Sequence, residues 1–432
     1  MTNNPQIYHG EWWVPAVADH DTRMTFLQPV GMMGHERKYT GTLTYYGDED
    51  STLELYQVPS NYRAKYYHHN RVMWGRDANG NIFTLLNVEM EKTDGVDFTC
   101  TKFVVGFILI GEHILDTDDT RFSKCIVQFP HLRNWAFSDS IVKSYAVTSV
   151  YYKTSLPHQK LLECINSEGV WWRLWQRQAT ERTNYVLTID QITEFEIEAL
   201  QPVSMWLMLQ QIEEFAQFLS IALFGEQNPD FVRFVNRENG HVSFLIYKKE
   251  KSVRPINSAL IKFEVFKEKL PAMLNVWHDN FKRVSPISSY LISSLHKKKR
   301  FEVPDFLIIA QALDGYHKRF VNKKVGGDVR QYEKQVEVLL NHFKDVKAIQ
   351  ECKIKPAVLK DSRHKYSHLY PDEEKSLAVE GEDLYWLTEK CKILLTCCIL
   401  NMLGLTNEEI NLCCEECSPI KQIVDSIPLE ID

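Results

Sequence analysis

The sequence predicts an α+β multidomain protein, with a β-rich, sandwich-like N-terminal domain followed by an all-α helical bundle. Three observations carry that expectation. Short segments rich in Val, Ile, Thr, Tyr and Phe, separated by turn clusters, fill residues 1 to about 200. From Ser285 onward apolar residues recur at three- and four-residue intervals. At 432 residues and 44% hydrophobic content, the chain is long enough for two or three separate cores. The boundary is set at 284/285, giving domains 1–284 and 285–432.

In the N-terminal part, turn clusters at Tyr46–Ser51 and Asp77–Asn81 separate strand candidates. Asn79-Gly80, between Arg71–Trp74 and Ile82–Leu86, predicts a hairpin, because both residue types tolerate positive φ. Thr101–Ile110 is almost continuously apolar and predicts a strand buried on both faces. Further strands are expected at Lys124–Phe129, Ser144–Tyr152, Val170–Trp175 and Asn184–Ile189. At Ser204 the period changes. Met205–Phe224 has helical spacing, Ser204 is its expected N-cap and Gly225 its stop. Strands Phe231–Val235 and His241–Tyr247 then resume the β module.

The C-terminal part predicts helices near 286–297, 303–322, 328–349, 356–369, 382–403 and 407–417, punctuated by the loop Asn322–Gly327. Pro371 is expected to end the fourth of these.

A net charge of −7 disfavours a protein that coats nucleic acid or membrane non-specifically, although a local basic groove needs only a few side chains. No apolar run reaches the roughly 18 residues of a membrane span. Met1–Gln6 has neither a basic nor an apolar signal region, so a cytoplasmic protein is expected. Seven of the ten cysteines follow residue 350 on helical segments, and they read as reduced, buried thiols. The rival reading of Cys391, Cys397, Cys398, Cys413, Cys414 and Cys417 as a zinc site lacks two separated short-spaced ligand pairs.

Other candidate residues have ordinary explanations. His68 and His69 point to opposite faces of a strand. Asp48–Asp50 and Asp116–Asp119 sit at turns. Trp171, Trp172 and Trp175 read as core aromatics. The chain contains neither GxxxxGK[ST] nor HExxH.

The densest chemistry lies in Asp361-Ser-Arg-His-Lys-Tyr-Ser-His-Leu-Tyr370. Arg363 and His368 pair a permanent cation with a group that titrates near neutrality, a combination able to hold a phosphate and move protons. His364 follows the arginine and Tyr370 follows the final histidine by two. Five residues of ideal helix turn about 500°, which leaves Arg363 and His368 roughly 140° apart. Convergence then requires a curled arginine, a loosened helix end or a facing second copy.

Arg363-x4-His368 in a helical bundle resembles the motif of HEPN domains (higher eukaryotes and prokaryotes nucleotide-binding), many of which are metal-independent RNases. With Tyr370 it also resembles the extended motif of HEPN toxins. Phe306–Arg319 is similar to the early HEPN helix of ApeA-type anti-phage proteins, in which a β-rich domain precedes a C-terminal HEPN domain. The resemblance implies an endoribonuclease without cofactor or metal that cuts RNA, tRNA foremost, to 2′,3′-cyclic phosphate and 5′-OH ends. His368 is then the acid–base group, Arg363 the phosphate clamp and His364 a second proton carrier or a group that orients the RNA. Asp314 orients His368 or Arg363, or forms a structural salt bridge. Tyr370 contacts RNA or accepts a nucleotidyl group. Lys365 and the run Lys297, Lys298, Lys299, Arg300 extend the phosphate surface; the run can equally complement a helix dipole. Implied partners are RNA, a phage-derived trigger sensed through the N-terminal domain, and a second copy in a homodimer or higher oligomer. The alternative is a non-catalytic HEPN-containing protein that dimerises while its β domain binds a ligand. A carbohydrate-active β-sandwich is a distant third.

Overall fold

The computed structural model describes residues 5–15, 38–46, 50–56, 72–91, 100–114, 121–136, 141–146, 149–154, 158–182, 187–235, 242–246, 259–296, 303–321, 331–369, 371 and 377–427. Among the residues singled out above, Asp48, Glu49, His68, His69, Asp116–Asp119, Lys297–Arg300, Asn322–Gly327 and Tyr370 lie outside these segments.

Among the described residues the N-terminal half is β-rich and the C-terminal half helical. Six strands come first: β1 (Gln6–Trp13), β2 (Tyr39–Tyr45), β3 (Ser51–Tyr56), β4 (Val72–Asp77), β5 (Ile82–Met90) and β6 (Cys100–Ile110). In place of two packed sheets, this one closes on itself in the order β6-β3-β2-β1-β4-β5, because β6 pairs with both β3 and β5. Closure leaves no free edge within these six strands, and the interior is filled by Trp12, Leu43, Leu53, Met73, Phe83 and Phe103, among others. Gly75 is required there, since a Cβ would come within 2.1 Å of the Trp12 ring.

The hairpin between β4 and β5 forms where Asn79-Gly80 predicts it, but only Gly80 takes positive φ (86°). Asp77 Oδ1 accepts from the Asn79 and Asn81 amides, fixing a three-residue turn with glycine at its left-handed position. The strand expected at Thr101–Ile110 is β6, but its burial alternates through Val105, and both faces close only at Ile108 and Leu109.

Eight strands follow: β7 (Arg121–Gln128), β8 (Ile141–Ala146), β9 (Ser149–Thr154), β10 (His158–Ile165), β11 (Val170–Arg182), β12 (Leu187–Ser204), β13 (Phe231–Val235) and β14 (Val242–Ile246). The single strand expected at Ser144–Tyr152 is instead the separate hairpin β8–β9. The others extend the barrel sheet from β6 through β14, β13, β7 and β12 to β11 and β10. Trp172 is core as expected, whereas Trp171 and Trp175 occupy the other face, beneath Arg173 and stacked on His158 respectively. On that face Arg173 binds Glu163, Glu196 and Glu198, and Arg177 binds Glu194.

The helices are α1 (Leu132–Trp135), α2 (Met205–Ala222), α3 (Phe263–Phe266), α4 (Leu270–His296), α5 (Val303–Tyr316), α6 (Tyr332–His342), α7 (Lys347–Cys352), α8 (Pro356–His368), α9 (Gly381–Met402), α10 (Asn407–Glu416) and α11 (Ser418–Ser426). Ser204 caps α2 as expected, its Oγ accepting from the Leu207 amide at 3.2 Å. The left-handed residue at its end is Phe224 (φ 52°), one before Gly225. Two corrections concern helix length. The segment 328–349 divides into α6 and α7, and α4 begins at Leu270 and runs through Pro286, so position 284/285 lies inside a helix. Leu270, Met273, Leu274, Trp277, Val284, Ile287 and Leu291 line its buried side.

A single buried cluster runs from the inner face of the extended sheet through α2 and α4 into the bundle. Phe195 of β12 stacks on Phe215 of α2 with centroids 3.7 Å apart, and Trp277 of α4 donates to Glu214 O at 2.8 Å. Beside them His278 Nδ1 lies 2.7 Å from Glu214 Oε2. Burial alone lowers the His278 pKa, but the hydrogen bond and charge of Glu214, with Glu168 and Asp279 nearby, outweigh it and raise it. A raised folded pKa means the contact stabilises fully below the unfolded value of about 6.5 and is lost as pH rises through the folded value. His278→Gln is therefore expected to lower the melting temperature more at pH 6 than at pH 8.5; equal losses at both would remove the charged contact from the account.

All seven cysteines after residue 350 are buried. Burial pushes the Cys352 and Cys417 thiols up to about 12, away from the thiolate form that binds metal. No group of three His, Cys, Asp or Glu among the described residues is placed to hold a metal ion. No helix among them is long and apolar enough to cross a membrane.

Candidate functional site

The motif helix α8 starts at Pro356, whose fixed φ suits a first turn, and ends with Leu369 in the left-handed region (φ 53°), its amide bonded to Lys365 O. That conformation is unfavourable for leucine, and Leu369 is 86% exposed. One side of α8 is anchored to the bundle. Leu359 is fully buried, Ser362 Oγ accepts from the Val379 amide at 3.1 Å, and the Tyr366 hydroxyl donates to Val379 O at 2.9 Å.

Arg363 faces α5 and α6. Its Nη2 donates to Asp314 Oδ2 at 3.1 Å, and its Cζ sits 4.3 Å from the Tyr332 ring centroid. Tyr332 is itself fixed, donating to Ala310 O at 3.0 Å, and burial raises its pKa so that it stays a donor. Lys318 Nζ reaches the same Asp314 oxygen at 3.0 Å. Of the two partners expected for Asp314, the structure supplies Arg363. A charged pair that is only partly exposed is worth more than a free surface pair, and the ring adds a cation–π contact of about 0.5–2 kcal/mol.

His364 and His368 lie one turn apart on the other side of α8, with ring centroids 6.0 Å apart at 73°. His364 is half-buried and His368 exposed. The helix stays regular to His368, so Arg363 points into the bundle and His368 outward, close to the roughly 140° divergence of an ideal helix. The chain thus presents an arginine fixed by an acid and an aromatic ring, with two imidazoles around the corner.

Lys365 departs from its expected role. It is buried and its ammonium is paired with Glu380, which takes it away from an RNA-facing surface.

Three further side chains lie beside the motif. Lys318 was legible as an i, i+4 partner of Asp314. Tyr332 carries no local signal, because only tertiary packing brings α6 beneath α8. His317 is fully buried with neither ring nitrogen hydrogen-bonded, and burial lowers its pKa, which keeps it neutral near pH 7. Nothing in the structure explains why an imidazole stands there.

Compared with known families, residues 7–277 match the model of ApeA N-terminal domain 1, and residues 307–409 match that of the Apea-like HEPN domain. The second span contains Asp314, Arg363, His364 and His368. No curated protein and no solved structure matches the chain.

Proposed function

This chain belongs to the ApeA family of anti-phage HEPN effectors, and from that premise we propose that it is a metal-independent endoribonuclease whose cleft is completed by a second copy. The observation that carries the reading is the fixed Arg363, held by Asp314 and Tyr332, on the same helix as the His364–His368 pair.

RNA cleavage without metal needs a base for the 2′-OH, an acid for the departing 5′-oxygen and a cation for the phosphorane. An imidazole takes the 2′-OH proton, the 2′-oxygen bonds to the adjacent phosphorus, and the P–O5′ bond breaks. A protonated imidazole gives its proton to the departing 5′-oxygen, leaving 2′,3′-cyclic phosphate and 5′-OH ends. His368 fills one role, and His364 or the partner's copy of His368 the other. Arg363 faces the developing charge with a planar fork suited to two phosphate oxygens. The divergence of Arg363 and His368 within one helix is the reason to invoke a dimer, because two copies across a symmetry axis bring the arginine of one toward the histidine of the other. Structured RNA such as a tRNA anticodon loop offers unstacked nucleotides with accessible 2′-hydroxyls. The N-terminal barrel and extended sheet, joined to the bundle through α2 and α4, would restrain the nuclease until a phage component binds.

The test is end-mapping of total RNA from infected and uninfected cells expressing the wild type or His368→Ala. New 2′,3′-cyclic phosphate ends in the wild type alone are expected. Identical RNA ends in both, where the wild type still protects, would favour the non-catalytic binding role.

A further inference from the structure

Directly after α5 the helix widens into a π-turn, His317–Val321. Such turns are rare and recur at functional positions. Arg319 in this turn and Arg283 on α4 lock together through their main chains. Arg319 Nη1 donates to Arg283 O at 2.6 Å, and Arg283 Nη2 donates to Arg319 O in return. Arg283 also lies 4.5 Å from the Phe320 ring centroid and donates to Asn280 Oδ1 at 3.3 Å. All of these partners are uncharged. Both arginines are exposed, and among the described residues neither is paired with a carboxylate. The fold thus holds each guanidinium on the other residue's main-chain carbonyl, and among the described residues no carboxylate pairs with either.

This pair is linked to the motif through Lys318. Lys318, next to Arg319 in sequence, shares Asp314 Oδ2 with Arg363 at 3.0 and 3.1 Å, which puts those two cationic nitrogens within about 6 Å of each other. Lys318 and Arg363 therefore share one carboxylate oxygen of Asp314, and Arg319 follows Lys318 directly, on a chain of net charge −7. A polyanion lying along this edge would pair with these cations.

We propose that Arg283 and Arg319 form a phosphate-binding track that holds the single strand flanking the scissile phosphate at Arg363. This rests on the ribonuclease reading above and extends it to residues outside the motif. Arg283 lies between the two family-matched spans, 7–277 and 307–409. Backbone contacts of this kind position RNA without reading its sequence. The fixed guanidinium planes also suit stacking under unpaired bases.

The track is tested in the full-length chain carrying His368→Ala to silence cleavage, by anisotropy of a labelled single-stranded RNA of about a dozen nucleotides across a salt series. Arg283→Gln/Arg319→Gln is expected to weaken binding about 10-fold or more at low salt. It should also flatten the dependence of log K on log salt by about 1.4, or about 0.7 per lost contact. Arg283→Lys/Arg319→Lys, which keeps the charge but not the fork, should restore the slope, and Lys421→Gln on the distant α11 should change neither. Unchanged affinity and slope in the Gln pair would overturn the track and leave the ribonuclease standing. A chain with His368 intact that neither binds nor cleaves RNA would remove both. Equal affinity for polyglutamate of matched charge, lost equally in the Gln pair, would overturn the RNA assignment in favour of an acidic protein partner.

Discussion

Arg363→Ala is expected to slow RNA cleavage roughly 10²–10³-fold while the chain remains folded. The magnitude follows from the role: removing one preorganised donor aimed at developing charge costs about 2.7–4 kcal/mol of transition-state stabilisation. The structural cost is smaller. Asp314 keeps Lys318 at 3.0 Å, so its carboxylate is not orphaned, and Tyr332 keeps its bond to Ala310 O. A melting temperature lower by a few degrees is expected, in line with one lost cation–π contact and one partly exposed ion pair. Arg363→Lys sharpens the test. Lysine keeps the charge but loses the fork and the flat stacking face, so it should recover part of the activity and stay well below the wild type. Single-turnover cleavage of a defined RNA, alongside thermal denaturation, reads both effects. Full activity in Arg363→Ala, or activity lost only together with the fold, would take the clamp away from this residue.

The same residues show why the motif was legible and its surroundings were not. Arg363, His364 and His368 announce themselves because their chemistry and their spacing lie within one helix. Asp314 was reachable as an acid on a neighbouring helix. The ring beneath the arginine was not, since Tyr332 is separated from it by α7 and two turns and meets it only through packing. The fold follows the same rule. α2, its Ser204 cap and the β4–β5 hairpin depend on residues within a few positions of each other, and they stand where the sequence places them. Barrel closure depends on β6 pairing with β3 as well as with its sequence neighbour β5, and on β1 reaching β4, and no local pattern encodes the two longer pairings. The 18-residue β12 hides for a different reason. Phe195, Ile197 and Ala199 alternate with Glu194, Glu196 and Glu198, and acidic residues are poor strand formers until cations on adjacent strands neutralise them. Arg173, Arg177 and Lys124 do so here, from β11 and β7. The early turns of α4 were missed because Pro286 favours a helix start, whereas here the helix carries it in its interior.

Lys392→Met should have the largest effect on stability. Lys392 lies in the middle of α9 with its ammonium 2.7 Å from Glu389, 3.3 Å from Asp305 on α5 and 3.2 Å from Ser294 O on α4. Ser294 Oγ in turn donates to Asp305 at 2.9 Å. Lysine and both carboxylates are buried, so removing the one cation leaves two acids facing each other out of water. Breaking a buried pair in this way costs about 3–5 kcal/mol, a large share of the roughly 5–15 kcal/mol that holds a domain together. Two consequences separate this cause from a simple packing defect. First, lowering the pH from 8 to 5 should recover part of the loss, because the unpaired carboxylates gain protons more readily in the folded interior than in the unfolded chain. Second, adding Asp305→Asn and Glu389→Gln should restore most of the stability, since a neutral set leaves no uncompensated charge. Urea denaturation of the single and triple variants at both pH values measures all of this. A deficit that is independent of pH and persists in the triple variant would point to the lost lysine side-chain packing instead. The site is part of the outcome: α5 carries Asp305 near its start and Asp314 near its end, so a bundle loosened at Lys392 also loosens the carboxylate that fixes Arg363.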